Sequence, residues 1–293
     1  MADERWIDGH SHIWTPDLAH YPLAPGYEAT DMKPGSFTAE ELLALCRPAG
    51  VGRVNLIQMS FYGFDNRYML DMIKLYPERF VGTAIVDHEA ADLAARMAAL
   101  KARGVRAFRI RPEYQGGKTD LRPAVTPPTI ARWLEGRSYE TLFASAAEQG
   151  LALSCLINPD SFAEVDRMAG AFPNTTVIID HLGRVGVGGS IAEGEVDSLC
   201  ALAKRPNVFV KVGAFYALGK KTPPYLDLGP LIRRVVQAFG AERCLWESDC
   251  PFQVVRDRYA DSLELIRDRL DFLTESQKEQ ILRGTSERVF FRD

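Results

Sequence analysis

The segment DGHSHIW (residues 8–14) completes a short apolar, β-prone run that begins at Trp6. An open, doubly wound α/β sheet normally carries a glycine-rich phosphate turn, G-x-G-x-x-G, after its first strand, and this segment has none. It places His10 and His12 one residue apart instead, and residues i and i+2 of a strand point to the same face, about 7 Å apart. The segment therefore favours a closed barrel over an open sheet and marks a candidate site at the first strand.

The rest of the chain alternates short apolar runs with helix-like segments, a pattern typical of βαβ units that build a parallel sheet. In FTAEELLALCRPAG, for example, Thr38 can cap a helix, Glu41 lies three residues on, and Gly50 follows the last turn. Eight apolar runs predict one (β/α)8 TIM-barrel domain over residues 1–293, with an open α/β sheet as the alternative. The predicted strands are Trp6–Trp14, Arg53–Ser60, Phe80–Asp87, Val105–Pro112, Leu151–Asn158, Thr176–Gly183, Val208–Gly213 and Arg243–Pro251.

Two long segments interrupt this alternation, Thr15–Phe37 after the first predicted strand and Glu113–Gly136 after the fourth. Because both follow strands, both are predicted on the barrel face where active sites are built. Long loops on that face are commonly lids or substrate walls, although loops also tolerate insertions that have no part in binding.

The composition is that of a soluble globular protein with a small-molecule partner. Hydrophobic residues occupy 46% of 293 positions, and 35 Lys and Arg nearly balance 39 Asp and Glu. This balance argues against nucleic-acid or anionic-membrane binding. Five scattered cysteines without C-x-x-C spacing, and no signal-peptide or transmembrane pattern, predict a cytoplasmic protein with reduced thiols. Barrels of this size often pair, which leaves a homodimer open.

Acidic and imidazole side chains end two further predicted strands. The sixth, TVIIDHLGR, ends in Asp180 and His181, and the eighth, CLWESDCPF, places Glu247 and Asp249 on one side. An apolar strand that ends abruptly in such groups has no packing reason to do so. The alternative for both aspartates is to cap the following turn. In a closed barrel these groups meet the histidine pair of the first strand, which can share one divalent ion or bind a substrate directly.

Two arginines share one face of the fourth predicted strand, VRAFRIRP. Arg109 and Arg111 stand at alternate positions, and an unpaired buried guanidinium is very costly. An acidic substrate would satisfy them. The alternative is a salt bridge to Glu113 or to the carboxylates of the eighth strand, because arginine–carboxylate pairs are common.

Together, the segments DGHSHIW, GVRAFRIRP, VIIDHLGR and WESDCPF resemble the amidohydrolase superfamily. The resemblance covers essentially the whole chain, and it is specific to the amidohydrolase-2 branch of predicted metal-dependent hydrolases. That branch includes lactonases that act on sugar lactones, pyrone dicarboxylate and muconolactone-type intermediates. The resemblance therefore implies a TIM-barrel lactonase of aromatic or sugar catabolism, with a small acidic or sugar-derived substrate.

Carried over residue by residue, the resemblance matches His10 and His12 to the metal ligands of strand one. It matches His181 to the histidine of strand six and Asp249 to the aspartate of strand eight. We therefore expect His10, His12 and Asp249 to hold one divalent ion, Zn or Mn. The fifth predicted strand, LALSCLIN, lacks the imidazole that metal-dependent members commonly carry, so a binuclear centre is not expected. Catalysis without metal stays open.

The expected reaction is hydrolysis of a lactone, with Asp249 and His181 as the catalytic residues. Asp249 takes the proton of the attacking water, and His181, helped by the first-strand histidines or their metal, polarises the carbonyl. Arg109 and Arg111 match the region where pyrone-lactonase-like members bind substrate carboxylates.

Tyr62 and Asn158, near strand ends, are further candidate substrate contacts, and core packing is the alternative for Tyr62. Two other functions stay open: non-oxidative decarboxylation of an unsaturated or aromatic acid, and a non-catalytic barrel that binds a small acid.

Overall fold

The computed structural model describes residues 4–112 and 132–292 and shows eight parallel strands in the order β1 to β8. The strands are β1 (Trp6–Ser11), β2 (Val51–Ile57), β3 (Phe80–Ala84), β4 (Val105–Ile110), β5 (Ala152–Cys155), β6 (Thr176–Ile179), β7 (Val208–Gly213) and β8 (Cys244–Glu247). Each pairs with the next in the chain, and the chain just beyond β8 pairs with the end of β1. The predicted (β/α)8 barrel is confirmed, and the open sheet was the wrong alternative.

Helices follow every strand on the outside of the barrel. They are α1 (Ala39–Cys46), α2 (Arg67–Leu75), α3 (Leu93–Lys101), α4 (Arg137–Gln149), α5 (Phe162–Ala171), α6 (Glu193–Ala201), α7 (Gly229–Phe239), α8 (Ala260–Glu264), α9 (Glu275–Glu279) and α10 (Thr285–Phe290). The predicted capping box of α1 is present: the Glu41 amide donates to the Thr38 hydroxyl, and the Thr38 amide donates to the Glu41 carboxylate. None of the helices in the described ranges is both long and apolar enough to cross a bilayer.

All observed strands except β7 are shorter than predicted, chiefly at their carboxyl ends, and β7 has the predicted bounds. The run predicted to reach Gly183 leaves the extended conformation after Ile179, and His181 has a φ of 56°. The run predicted to reach Pro251 ends at Glu247, and Asp249 also has a φ of 56°. The left-handed region is unfavourable for residues with a Cβ atom. These turns re-aim the last side chains of β6 and β8 into the end of the barrel formed by the carboxyl ends of the strands, here called the mouth.

A bulge in β1 places the first histidine at the mouth. Asp8 and Ser11 pair with Val54 and Leu56 of β2, so three residue steps in β1 lie opposite two in β2. An extra residue in one strand changes which side chains face inward. Asp8 consequently contacts groups outside the barrel, whereas His10 points into it.

The opposite end of the barrel is closed by apolar side chains. Phe290, the last residue of α10, packs against inward-facing residues from five strands, which are Val81, Ala107, Ala152, Ile178 and Leu245. All six residues are at most 7% exposed. Side-chain layers that fill a barrel make it a packed core rather than a pore, and active sites of such barrels lie at the carboxyl ends of the strands, so we expect the functional site at the mouth.

The first long loop, Thr15–Phe37, is closed at its base. The Trp14 amide donates to the Phe37 carbonyl at 2.7 Å, and the Phe37 amide donates to the Trp14 carbonyl at 3.0 Å. Residues 113–131, most of the second predicted loop, lie outside the described residues. They include Glu113, the alternative partner of the strand-four arginines.

Candidate active site

His10 and His12 meet edge to edge at the mouth, as the first-strand motif predicted. Their Nε2 atoms lie 3.1 Å apart, and both side chains are almost fully buried. His12 Nδ1 lies 2.9 Å from the Ile57 carbonyl oxygen. A carbonyl oxygen only accepts, so His12 Nδ1 carries a hydrogen and Nε2 is the atom that faces the site. Burial, followed by the nearby Lys211 cation, holds the pKa of His10 well below its usual value.

Asp249 is held between the histidines and a tyrosine. Its Oδ1 lies 3.2 Å from His12 Nε2 and 3.5 Å from His10 Nε2. Its Oδ2 accepts a hydrogen bond from the Tyr216 hydroxyl at 2.6 Å. Burial acts to raise the pKa of Asp249, but the nearby His181 and His12 imidazoles and the hydrogen bond from Tyr216 outweigh it and lower the pKa below its usual value. Asp249 is thus a carboxylate with one oxygen fixed and the other facing the imidazoles.

His181 is oriented by Glu247. Its Nδ1 lies 2.6 Å from Glu247 Oε1, and its backbone amide donates to the same oxygen at 3.1 Å. Its Nε2 therefore faces the site, 3.9 Å from Asp249 Oδ2. Burial acts to lower the pKa of His181, but Glu247 and Asp249 outweigh it and raise the pKa. Gly213 makes this arrangement possible, because a Cβ atom there would collide with the Glu247 side chain and carbonyl.

Within the described residues, His10, His181 and Asp249 form the one group able to hold a metal ion. Each offers a ligand atom within 4.8 Å of the others, and all three are buried. Imidazole nitrogens and a carboxylate oxygen are a donor set that divalent transition metals accept. His12 Nε2 lies beside two members of this group. The donors fit one divalent cation, and the predicted ligand set of His10, His12 and Asp249 stays a prediction.

A second layer of charge lies directly beneath the imidazoles. The Lys211 ammonium, fully buried on β7, lies 2.8 Å from Asp180 Oδ1 and donates to Ser154 Oγ at 3.0 Å. Ser154 also donates to Asp180 at 2.6 Å. Burial acts to raise the pKa of Asp180, but Lys211 and Arg109 outweigh it and lower the pKa. Asp180 therefore pairs with a buried cation, and the capping role suggested for its side chain was wrong.

Sequence reasoning missed Lys211, Ser154 and the site roles of Tyr216 and Glu247. A signal existed for Lys211: it is the one charged residue in the apolar run VFVKVG. The argument made for the arginines of strand four, that a charge inside a barrel strand needs an oppositely charged partner, applies to it equally.

Asp8, the first residue of the opening motif, connects the two ends of the sheet. Its carboxylate accepts hydrogen bonds from the backbone of His10 and from the hydroxyls of Ser11 and Tyr259. It also accepts from the amide and the hydroxyl of Ser248, just past β8. Asp8 thereby fixes the position of the first-strand histidines relative to Asp249.

The four predicted substrate contacts differ in their surroundings. Arg109 Nε lies 3.8 Å from Asp180 Oδ2, beneath the mouth, and its side chain is 10% exposed. Arg111 follows β4 and is half-buried, as is Asn158 after β5. The Tyr62 hydroxyl instead accepts a hydrogen bond from the Thr15 amide at 3.2 Å, and its ring packs against Phe61. The contacts of Tyr62 favour the core interpretation, in which it anchors the first loop.

Comparisons with known proteins agree with this architecture. The amidohydrolase family model, Amidohydro_2, matches residues 7–292. L-fucono-1,5-lactonase of Burkholderia ambifaria is 25% identical over 87% of this chain and 83% of its own length. The 2-pyrone-4,6-dicarboxylate hydrolase of Comamonas testosteroni is 28% identical over 87% of this chain and 79% of its own.

Among solved structures, an amidohydrolase from Burkholderia multivorans with bound Zn superposes with a TM-score of 0.78. The superposition covers 98% of this chain and 99% of the Burkholderia multivorans chain, at 16% sequence identity. At that identity the likeness shows the fold alone. The family model spans nearly the whole chain, including residues of all eight strands and every residue of the site. The protein therefore belongs to the amidohydrolase-2 family.

Proposed function

We propose that this protein is a lactonase, a hydrolase that opens a small acidic or sugar-derived lactone by attack of water at the barrel mouth. The observation that carries the proposal is the Asp249 carboxylate, held by Tyr216 on one oxygen and faced by imidazoles on the other. The curated relatives support it, because their names describe enzymes that act on a sugar lactone and on a pyrone dicarboxylate.

Asp249 is the general base in this proposal. Its free oxygen, Oδ1, faces the position that water would occupy beside His10 and His12. A proton accepted there from water can later pass to the alkoxide that leaves when the ring opens, so one carboxylate serves both halves of the reaction. The lowered pKa of Asp249 keeps it in the basic, ionised form at neutral pH.

His181 polarises the lactone carbonyl. Glu247 fixes the imidazole through Nδ1, so Nε2 is directed into the site and is available as a hydrogen-bond donor when protonated. A preoriented donor aimed at the oxygen where charge develops is commonly the largest catalytic contribution in acyl transfer. The raised pKa of His181 favours that protonated form.

A divalent ion, Zn or Mn, would be held by Asp249 with His10 and either His12 or His181. When bound, such an ion supplies Lewis-acid polarisation of the carbonyl and a water of lowered pKa. Arg109 and Arg111, on the fourth strand and just beyond it, are proposed to orient an acidic substrate, because guanidinium groups pair well with carboxylates. Asn158 stays a proposed further contact.

The first test is a pH-indicator assay on sugar lactones and dicarboxylate lactones, with and without added Zn or Mn. We expect one class to be opened, and Asp249→Asn to lower kcat/KM by about 10²- to 10⁴-fold, the usual contribution of a general base. Asp268→Asn, which changes an exposed aspartate paired with Arg267, is the matched control and should leave activity unchanged.

Failure to open any lactone would contradict the proposal, and so would full activity in Asp249→Asn. Release of CO₂ from an aromatic or unsaturated acid would instead identify a decarboxylase. The non-catalytic alternative would be favoured by an Asp249 held away from the mouth in a structural salt bridge. Its contacts with His12 and Tyr216 within the site do not meet that condition.

A further inference from the structure

Lys211 is a buried cation that contacts the site from below. Its side chain is fully buried, and Nζ lies 2.8 Å from Asp180 Oδ1, 3.0 Å from Ser154 Oγ and 3.0 Å from His10 Nδ1. Three partners match the three hydrogens of an ammonium group. Lys211 and Asp180 form a charge-balanced pair beneath the site, and the contact of Lys211 with His10 connects that pair to the mouth.

The contact with Lys211 decides where His10 carries its hydrogen. An ammonium group only donates, so His10 Nδ1 must accept, and a neutral imidazole that accepts at Nδ1 is protonated at Nε2. Glu247 Oε2 also lies 3.1 Å from His10 Nδ1. Among the described residues, however, this oxygen makes no hydrogen bond of acceptable geometry. Lys211 is therefore the partner of His10 Nδ1 in this arrangement.

The other side of the His10 ring agrees with this assignment. His12 donates through Nδ1 to the Ile57 carbonyl, which leaves the Nε2 of a neutral His12 as an acceptor. His10 Nε2 lies 3.1 Å from that atom and 3.5 Å from Asp249 Oδ1, two acceptors that suit an Nε2 hydrogen. The contacts on both sides of the His10 ring thus place its hydrogen on Nε2, the nitrogen that faces His12 and Asp249.

An imidazole nitrogen that carries hydrogen has no lone pair for a metal ion. Binding of a cation through His10 Nε2 therefore requires the hydrogen to move to Nδ1, where Glu247 Oε2 is close enough to accept it and Lys211 must give up its hydrogen bond. We propose that Lys211 is a positioning residue that holds His10 in the Nε2-protonated tautomer and so lowers the affinity of the mouth for a divalent cation. This inference rests on the same site as the proposed function.

The first experiment measures Zn²⁺ affinity by competition with a chromophoric chelator. Lys211→Met keeps the length of the side chain but removes the donor and the charge, while Ser154 and Arg109 remain beside Asp180. We expect the variant to bind Zn²⁺ about 10- to 100-fold more tightly, the range by which groups that orient metal ligands alter affinity. Ser154→Ala is the matched control. It removes another partner of Lys211 without touching His10, and it should bind Zn²⁺ as the wild type does.

The second experiment needs no variant of Lys211. Long-range ¹H–¹⁵N spectra of metal-free, ¹⁵N-histidine-labelled wild type report which ring nitrogen carries hydrogen, with the His10 signals assigned from His10→Gln. We expect hydrogen on Nε2. Hydrogen on Nδ1, or a folded Lys211→Met protein whose Zn²⁺ affinity is not raised, would overturn the inference. Zn²⁺ affinity and the position of the ring hydrogen are both measured without turnover. A protein that opens no lactone would therefore contradict the proposed function, whereas these two measurements alone decide the role of Lys211.

Discussion

The two ends of the barrel interior differ sharply in chemistry. The mouth holds buried imidazole, carboxylate and ammonium groups, among them His10, Lys211 and Asp249. The opposite end holds Phe290 and the apolar side chains around it, and charged groups lie at its edge, such as Arg53, which contacts the Phe291 ring and pairs with Glu287. Buried charge costs stability unless it is paired, whereas buried apolar surface supplies it. One end of the interior therefore stabilises the fold, and the other uses part of that stability to hold a reactive site.

Phe290→Ala tests the stabilising end and should give the largest effect on folding. Removing a fully buried phenylalanine typically costs about 3–5 kcal/mol, because the lost contacts leave a cavity. Chemical denaturation should show this loss, while Zn²⁺ affinity and kcat stay at wild-type values wherever the variant is folded. Phe291→Ala, at a half-buried neighbour, is the control and should cost less. An equal loss of stability in both variants would mean that Phe290 does not close the apolar end of the barrel.

Tyr216→Phe tests the mouth and should lower activity as well as stability. It removes one hydrogen bond to Asp249. A hydrogen bond to a charged group contributes about 1.5–3 kcal/mol, so kcat should fall about 10- to 100-fold. Tyr225→Phe is a matched control, because that hydroxyl donates to Asp257, also at 2.6 Å, outside the site. Similar losses of kcat in both variants would show that the effect is not specific to the mouth.

Asp166→Asn changes an ion pair on the surface of the barrel and should have the smallest effect. Asp166 accepts from Arg205 at 2.8 Å, and this contact, together with Lys204, lowers its pKa. A partly exposed pair of this kind contributes less than about 1 kcal/mol.

Because the folded-state pKa of Asp166 is lowered, its contribution is present above the unfolded value and is lost as pH falls through the folded value. Urea unfolding should show wild type more stable than the variant at pH 7 and converging with it in acid. A gap that persists unchanged in acid would exclude the ion pair as its cause.

Much of the fold was predictable because it depends on local patterns. Eight apolar runs located all eight strands, and the spacing of Thr38, Glu41 and Gly50 correctly located the start and end of the first helix and its short extension. The ends of the strands were misjudged, because the left-handed turns at His181 and Asp249 follow from the assembled site rather than from local preference.

The site was predictable only in part. Histidine and aspartate at strand ends could be placed at one mouth, because parallel strands of a barrel share that end. The contact between Lys211 and His10 depends on how β7 is staggered against β1 across the interior, and no local pattern encodes that. The packing of Phe290 against the strands was not predicted either, because α10 lies far from most of those strands in sequence and no local pattern encodes the contact.

The hydrogen bonds of Asp8 also set a time at which the site can form. Asp8 and Ser248 are separated by 240 positions, and their contact completes the mouth. Ribosomes add about 5–20 residues per second, so roughly 10–50 s of synthesis separate the two residues. Throughout that interval the two histidines that follow Asp8 exist without Asp249. Neither a metal ion nor a substrate can bind the completed site until the chain has been made through Asp249.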